Sequence, residues 1–281
     1  MHPRFELSEP REVDLPGRAS TIVWDSGQTD TLPLLLLHGW NIDAPTNFGY
    51  SFPHLSKQQR VVMYDQHGHG QGPRRNEAFS LEAAADDAVA VLDALNIDTA
   101  VVCGFSLGGA VAQTMLRDHP ERCAGLVLSA TSGTFAESKL EAGQFQVLSK
   151  TAKVLRRSPE SVKERAFTAL RGFCTRRYPG WIGDVVASAD PVNLLEAGAS
   201  LGTFNNDDWI GPVDVPSAFV VTAQDVVVPT RRQVELATLL DVDSMHNVAA
   251  GHDVPIRDHH EFHAALCAAA ASVTAAAMQD H

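Results

Sequence analysis

Short apolar runs, many of them β-branched, recur along the chain between longer stretches in which apolar positions return every three or four residues. Runs of the first kind suit strands buried on both faces, and the longer stretches suit amphipathic helices. Their alternation is the pattern of βαβ units wrapped around a largely parallel sheet. Strands are predicted at 20–24, 34–37, 60–64, 99–103, 125–129 and 218–222, with outer strands at 11–15 and 244–248. Helices are predicted at 81–95 behind the N-cap Ser80, at 107–117 before His119 and Pro120, at 230–240, and over the alanine-rich end at 264–277.

Residues 133–212 interrupt this alternation with helical periodicity and no strand pattern. A segment of that length cannot be a simple crossover and must fold onto something, and the mouth of the sheet is the surface left for it. The expected organisation is therefore a core of residues 1–132 and 213–281 with a helical lid at 133–212. The lid carries Phe135, Phe145, Phe167, Phe173, Tyr178, Trp181, Phe204 and Trp209. Any one of these can simply pack lid against core, but together they are expected to supply part of a pocket wall.

Composition adds exclusions. With 44% hydrophobic and 20% charged residues the chain has ordinary globular usage, so a sizeable core is expected. The formal charge of -12 is interrupted by no basic block, Arg156 with Arg157 and Arg176 with Arg177 being pairs only. That balance argues against nucleic acid or an anionic membrane as partner. The first residues lack an apolar signal core, and the alanine-rich end is too weakly apolar to span a bilayer, so a cytoplasmic protein without membrane insertion is expected. Cys103, Cys123, Cys174 and Cys267 are widely spaced, which suggests reduced structural cysteines rather than a zinc site or disulfide framework.

The sharpest chemical signal is Gly104-Phe105-Ser106-Leu107-Gly108, a G-x-S-x-G pattern. Three fixed positions arise by chance in a chain of this length about one time in ten, so the pattern alone decides little. Its setting decides more. It follows the apolar run 100–103 directly and opens a helix, and a serine on such a sharp turn needs small neighbours on both sides. The turn lifts Ser106 above the sheet, at the positive end of the following helix.

A serine nucleophile needs a base, and the base needs an orienting carboxylate. Asp225 stands just beyond the predicted strand 218–222, where catalytic groups gather in open α/β sheets, ahead of its competitors Asp214, Asp241, Asp243 and Asp253. His252, after Gly251, follows the last predicted strand. An oxyanion hole requires two fixed donors, and the backbone N–H groups of Leu107 and Trp40 are the candidates. Trp40 ends Leu37-His38-Gly39-Trp40, in which His38 reads as a residue that shapes the loop by hydrogen bonding. Trp40, Phe105, Phe135, Trp181 and Trp209 are the candidate substrate-binding side chains.

Taken together these motifs resemble the α/β-hydrolase fold superfamily over nearly the whole chain, and within it the lidded serine esterase and cofactor-independent haloperoxidase branch. His38-Gly39-Trp40 looks like its oxyanion loop, and Asp65-Gln66-His67-Gly68-His69-Gly70 like its loop after the fourth strand. Ser106, Asp225 and His252 match its nucleophile, acid and base in chain order. The family's loop pattern D-x-R-G-x-G-x-S is altered here, His67 and Gly72 standing at the arginine and serine positions. The resemblance implies a mostly parallel eight-stranded sheet flanked by helices, with the lid between strands 6 and 7 and no cofactor. Epoxide hydrolases and haloalkane dehalogenases of this scaffold carry an aspartate where Ser106 stands.

His259, His260 and His263 include an i,i+4 pair, but H-E-x-x-H spacing is absent and no third ligand is identifiable, so a solvated helix face and no metal are expected. The leading functional expectation is hydrolysis of a small-molecule carboxylic ester or lactone through an acyl-enzyme on Ser106, by a monomer or homodimer. The same triad could instead serve C–C bond hydrolysis, perhydrolysis or cofactor-free oxygenation. A non-catalytic ligand receptor is the minor alternative, disfavoured by the complete triad.

Overall fold

The computed structural model describes residues 5–177, 180–257 and 259–279. In chain order these form β1 (Arg11–Val13), β2 (Thr21–Asp25), β3 (Leu34–Leu37), α1 (Ala44–Phe48), α2 (Phe52–Leu55), β4 (Val61–Tyr64), α3 (Leu81–Ala94), β5 (Ala100–Phe105), α4 (Leu107–Asp118) and β6 (Cys123–Ser129). Four helices follow: α5 (Lys139–Arg156), α6 (Glu160–Arg177), α7 (Gly180–Ser188) and α8 (Pro191–Leu201). The chain then returns to β7 (Ser217–Thr222), α9 (Thr230–Leu239), β8 (Ser244–Val248) and α10 (His260–Ala277).

The strands lie in the order β1-β2-β4-β3-β5-β6-β7-β8. β2 pairs antiparallel with both its neighbours, and the pairs from β4 to β8 are parallel. The leucines of β3 show why both faces must be covered: all four are buried, and successive side chains enter opposite cores. Leu35 and Leu37 join Val102, Leu126, Leu128 and Phe219 against α3, α4 and α9. Leu34 and Leu36 join Val101, Val127, Ala218 and Val220 against α1, α2 and α10.

The expected strands are all present, and only their ends differ, β5 running two residues further, to Phe105. The short helices α1 and α2 lie in a stretch for which no element was predicted. α1 is announced by Asp43, whose side chain accepts from Thr46 N, and by Pro45 in its first turn.

α10 starts at His260, four residues before the expected point, because Phe262, His263 and Leu266 continue its buried face. The solvated histidine face expected there is thus corrected in part. His263 is buried and its Nδ1 pairs with Ser51 Oγ at 2.8 Å, tying α10 to the segment before α2. Cys103, Cys123 and Cys267 are buried free thiols; burial pushes all three up, Cys103 and Cys123 to about 12 and Cys267 to about 11. The side chain of Cys174 lies outside the described residues.

The helices α5 to α8 connect β6 to β7, and their attachment points fall on the loops that leave the C-terminal ends of β3 and β4. Asp190 N–H donates to Gly68 O at 2.9 Å, and Arg74 donates to Ser188 O at 2.7 Å. Arg156 of α5 grips Glu196 of α8 through Nε at 2.6 Å. The helical segment therefore stands beside the end of the sheet at which G-x-S-x-G turns.

Candidate active site

Ser106 joins β5 to α4 at φ 53° and ψ -114°, a conformation that costs a non-glycine residue of order 1–3 kcal/mol. The surrounding turn holds it there. Ser106 N–H donates to Ser129 O at 3.0 Å, and its carbonyl accepts from Thr131 Oγ1 at 2.8 Å. The flanking glycines are steric requirements. A Cβ on Gly104 would lie 2.3 Å from Gly108 O, and one on Gly108 would lie 1.9 Å from Leu37 O. That second approach seats the first turn of α4 directly on the end of β3, which carries the loop His38-Gly39-Trp40.

Ser106 Oγ lies 3.0 Å from His252 Nε2, and His252 Nδ1 lies 2.7 Å from Asp225 Oδ2. The three residues expected from the sequence are thus one hydrogen-bonded chain, drawn from the ends of β5, β7 and β8. The imidazole is braced by Phe105, whose ring centroid is 5.2 Å away and which itself meets Phe262 edge-on.

Asp225 is held on both oxygens. Oδ1 accepts from Val227 N at 2.8 Å and Val228 N at 3.0 Å, and Oδ2 accepts from Thr222 Oγ1 at 2.8 Å and Gln233 Nε2 at 3.3 Å besides His252. Burial pushes its carboxyl up, but His252, Val228 N–H and Thr222 outweigh burial and hold it below the ordinary value. Gln233 and Thr222 escaped sequence reasoning. Fully buried, Gln233 reaches back past the start of α9 to donate also to Val228 O at 2.8 Å, while its Oε1 accepts from Thr222 N at 3.0 Å. The available signal was a glutamine on the inward face of the helix that follows the acid.

The loop after β3 is fixed by a second polar network. His38 Nε2 accepts from Gln66 N–H at 2.9 Å, which puts the ring proton on Nδ1, where it donates to Gly39 O at 2.8 Å. Gly39 O and Trp40 N–H belong to the same planar peptide, so fixing one end aims the other. Gly39 N–H is held by Asn47 Oδ1 at 2.8 Å, and Gln66 Nε2 holds His38 O at 2.7 Å. Burial lowers His38 to about 4, its bond to Gly39 opposing, so the ring is neutral. The expected loop-shaping role is what this geometry describes. Asp65 fastens the far side, accepting from Ala44 N at 2.8 Å and Gln71 N at 2.7 Å.

Among the described residues neither Trp40 N–H nor Leu107 N–H, the first of α4, meets an acceptor. One belongs to the His38-fixed peptide and the other follows the serine. These two donors are suited to receive negative charge, while His252 Nε2 is placed to take a proton from the Ser106 hydroxyl.

The candidate pocket aromatics separate into groups. Trp40 and Phe105 adjoin the triad: Trp40 packs its ring on Gly198 of α8, donates through Nε1 to Leu194 O at 2.7 Å, and shares a small cluster with Trp181, Ile182 and Leu194. Phe135 is buried against Phe204 in the larger core. Trp209 is a correction. Its ring meets Phe204 edge-on and lies 4.9 Å beneath the guanidinium of Arg117, in the last turn of α4, the end opposite Ser106. Its attachment is structural. Tyr178 and the side chain of Phe173 lie outside the described residues.

A mostly parallel eight-stranded sheet flanked by helices, with a strained serine on the turn between β5 and α4, is an α/β-hydrolase scaffold. The chain belongs to the alpha/beta hydrolase fold family, whose model matches residues 33–256. Two relatives and one solved structure illustrate the likeness. The chain is 37% identical over 126 residues to a 2-hydroxymuconate semialdehyde hydrolase of Pseudomonas sp. (strain CF600), a match spanning 44% of each protein and so under half that relative's length. It is 31% identical to a pimeloyl-[acyl-carrier protein] methyl ester esterase of Sodalis glossinidius, over 82% of this chain and 90% of the relative. The bromoperoxidase from Bacillus anthracis superposes with a TM-score of 0.75 at 16% identity, over 92% of this chain and 98% of that one.

Proposed function

We propose that this protein hydrolyses a small-molecule carboxylic ester or lactone through an acyl-enzyme on Ser106. The observation that carries the reading is the unbroken chain from Ser106 Oγ through His252 to the fully engaged Asp225, built on a strained turn between β5 and α4. His252 Nε2 takes the hydroxyl proton as Ser106 Oγ bonds to the acyl carbon, and Asp225 stabilises the imidazolium. The carbonyl oxygen, now an oxyanion, is received by Trp40 and Leu107 N–H. Collapse breaks the C–O bond, and His252 returns the proton to the leaving alkoxide. Water activated by the same imidazole then releases the acid. In this reading α5 to α8 act as a lid, with Trp40 and Trp181 on its inner side limiting the acyl group.

The full-length esterase relative supports ester chemistry over the alternatives that share the triad. Labelling with a fluorophosphonate probe, followed by turnover of p-nitrophenyl esters graded by acyl length, tests the proposal. The expected result is labelling of Ser106 and a preference for short acyl chains. An unlabelled Ser106 in folded protein removes the nucleophile, and absent ester turnover together with cleavage of a vinylogous diketone replaces ester hydrolysis by C–C bond hydrolysis.

A further inference from the structure

The five most exposed large hydrophobic side chains of the described residues are Val226 (90%), Leu140 (74%), Val154 (65%), Val227 (64%) and Val147 (63%). They occupy two places. Leu140, Val147 and Val154 recur every seven residues on α5, and Val226 with Val227 forms the loop just after Asp225. The two places are joined by charge pairs: Arg232 reaches Glu137 at 3.0 Å and Glu141 at 2.8 Å, and Arg231 also pairs with Glu137. The N-terminal end of α5, which carries Leu140, is thus joined to the start of α9, directly after the Val226–Val227 loop.

Charge is segregated over α5 and α6 together. Residues 139–177 hold ten of the chain's 22 lysines and arginines but three of its 34 acidic residues. On α5, Lys139, Lys150, Lys153 and Arg157 at its C-cap are exposed and pair with no acid among the described residues. At about 100° per residue these four cations fall in one arc beside the aliphatic stripe, along roughly 27 Å of helix. The opposite face is buried through Ala152 and Leu155 and packs on α8. Nothing about burial or pairing inside the fold accounts for the outward face.

We propose that this face, α5 with the Val226–Val227 loop, adsorbs to the surface of an anionic phospholipid bilayer. Free lysines bordering protruding aliphatic side chains are the chemistry of interfacial adsorption, the cations meeting headgroup phosphates and the aliphatic tips entering the headgroup boundary. A protein partner fits less well. The exposed residues of this stripe include no aromatic, and lysine is depleted in protein interfaces while aromatics and arginine anchor them. The chain's overall charge of -12, which speaks against such a surface when averaged along the sequence, does not oppose this. At physiological salt, charge is felt over about 8 Å, so a bilayer against α5 senses the local cations and not the acidic remainder. Adsorption there sets the Asp225 loop against the bilayer, and it depends on neither Ser106 nor the proposed ester chemistry.

Co-sedimentation of the full chain, as wild type and as Ser106→Ala, with phosphatidylcholine vesicles lacking or containing about one-third phosphatidylglycerol tests the proposal. Both proteins are expected to bind only the anionic vesicles, and less at high salt. Lys139→Glu/Lys150→Glu/Lys153→Glu is expected to weaken partitioning by about 100-fold or more, at roughly fivefold for each cation lost. Leu140→Ser/Val147→Ser/Val154→Ser is expected to weaken it at unchanged charge. Unaltered thermal melting in both triple variants shows that the fold is kept. Wild-type protein that ignores the anionic vesicles, or a folded charge-reversed variant that binds them like wild type, overturns the proposal, even if an acidic protein is retained instead.

Discussion

The indole Nε1 of Trp40 donates to Leu194 O across 154 positions of sequence, joining the loop after β3 to the last helix of the inserted segment. Trp40 is therefore set from two sides, by His38 through its backbone and by α8 through its side chain. Trp40→Phe keeps the backbone N–H and removes only the second attachment. Leu194 O keeps its bond within α8, so the change removes one hydrogen bond and should cost about 0.5–1.5 kcal/mol. The expected outcome is a lower urea midpoint and a rise in KM larger than the fall in kcat. A variant as stable as wild type would show that the bond does not anchor α8.

His38 acts on the other side. Its Nδ1–H fixes Gly39 O and hence the peptide that presents Trp40 N–H. One oxyanion donor is worth about 10²- to 10³-fold in turnover, and a misaimed donor forfeits much of that. His38→Leu should lower kcat for an ester by about 10²-fold with KM little changed, whereas His38→Asn, whose amide can still donate to Gly39 O, should recover most of it. Equal losses in the two variants would reduce His38 to a packing role.

Two buried histidines also make the fold sensitive to acid. Burial lowers His38 to about 4, while burial and the neighbouring His38 lower His69 to about 3; His69 Nε2 has no partner among the described residues. Unfolded histidines take protons below about pH 6.5. Between that value and the folded ones, the unfolded state binds protons that the folded state refuses, so stability falls with pH by up to ~1.4 kcal/mol per unit for each ring. His69→Phe, placed against Phe79, should reduce the slope by up to ~1.4 kcal/mol per pH unit between roughly pH 6.5 and 4, read from urea unfolding at several pH values. A slope unchanged in the variant would mean that His69 accepts a proton in the folded protein.

The sheet was legible because strands buried on both faces leave near-continuous apolar runs, as in Leu34–Leu37, and Ser106 and Asp225 because each follows such a run, whereas His252 follows the half-exposed, mixed β8 and was legible from Gly251 and chain order. Other features left weaker traces. His263 reads as solvated because its partner Ser51 lies 212 residues away, and a long-range pair leaves no periodicity. Trp209 reads as a pocket residue by composition, yet cation–π contact with Arg117 holds it at the far end of α4. The basic face of α5 was diluted by a chain-wide acidic excess that only the fold separates from it.

Gln233 is the positioning residue that the sequence concealed, and an isosteric change isolates its role. Its amide donates to Asp225 Oδ2 at 3.3 Å, to Thr222 Oγ1 and to Val228 O, all without charge. Gln233→Glu keeps the shape but replaces a donor with a second carboxylate. Like charge beside Asp225 opposes its ionisation, so the carboxyl that His252, Val228 N–H and Thr222 now hold low should move up. A group with a depressed folded value contributes stability above its unfolded value, and that stability is lost as pH falls through the folded one. The variant should therefore lose both stability and turnover at a higher pH than wild type, with the acid limb of kcat moved upward by about one unit or more. Near neutral pH, where Asp225 remains ionised, the loss of kcat should be far smaller than the roughly 10⁴-fold expected of Asp225→Asn, which removes the charge that supports the imidazolium. An acid limb unmoved by Gln233→Glu would place Gln233 outside the electrostatics of the triad and leave it only the task of holding the turn between β7 and α9.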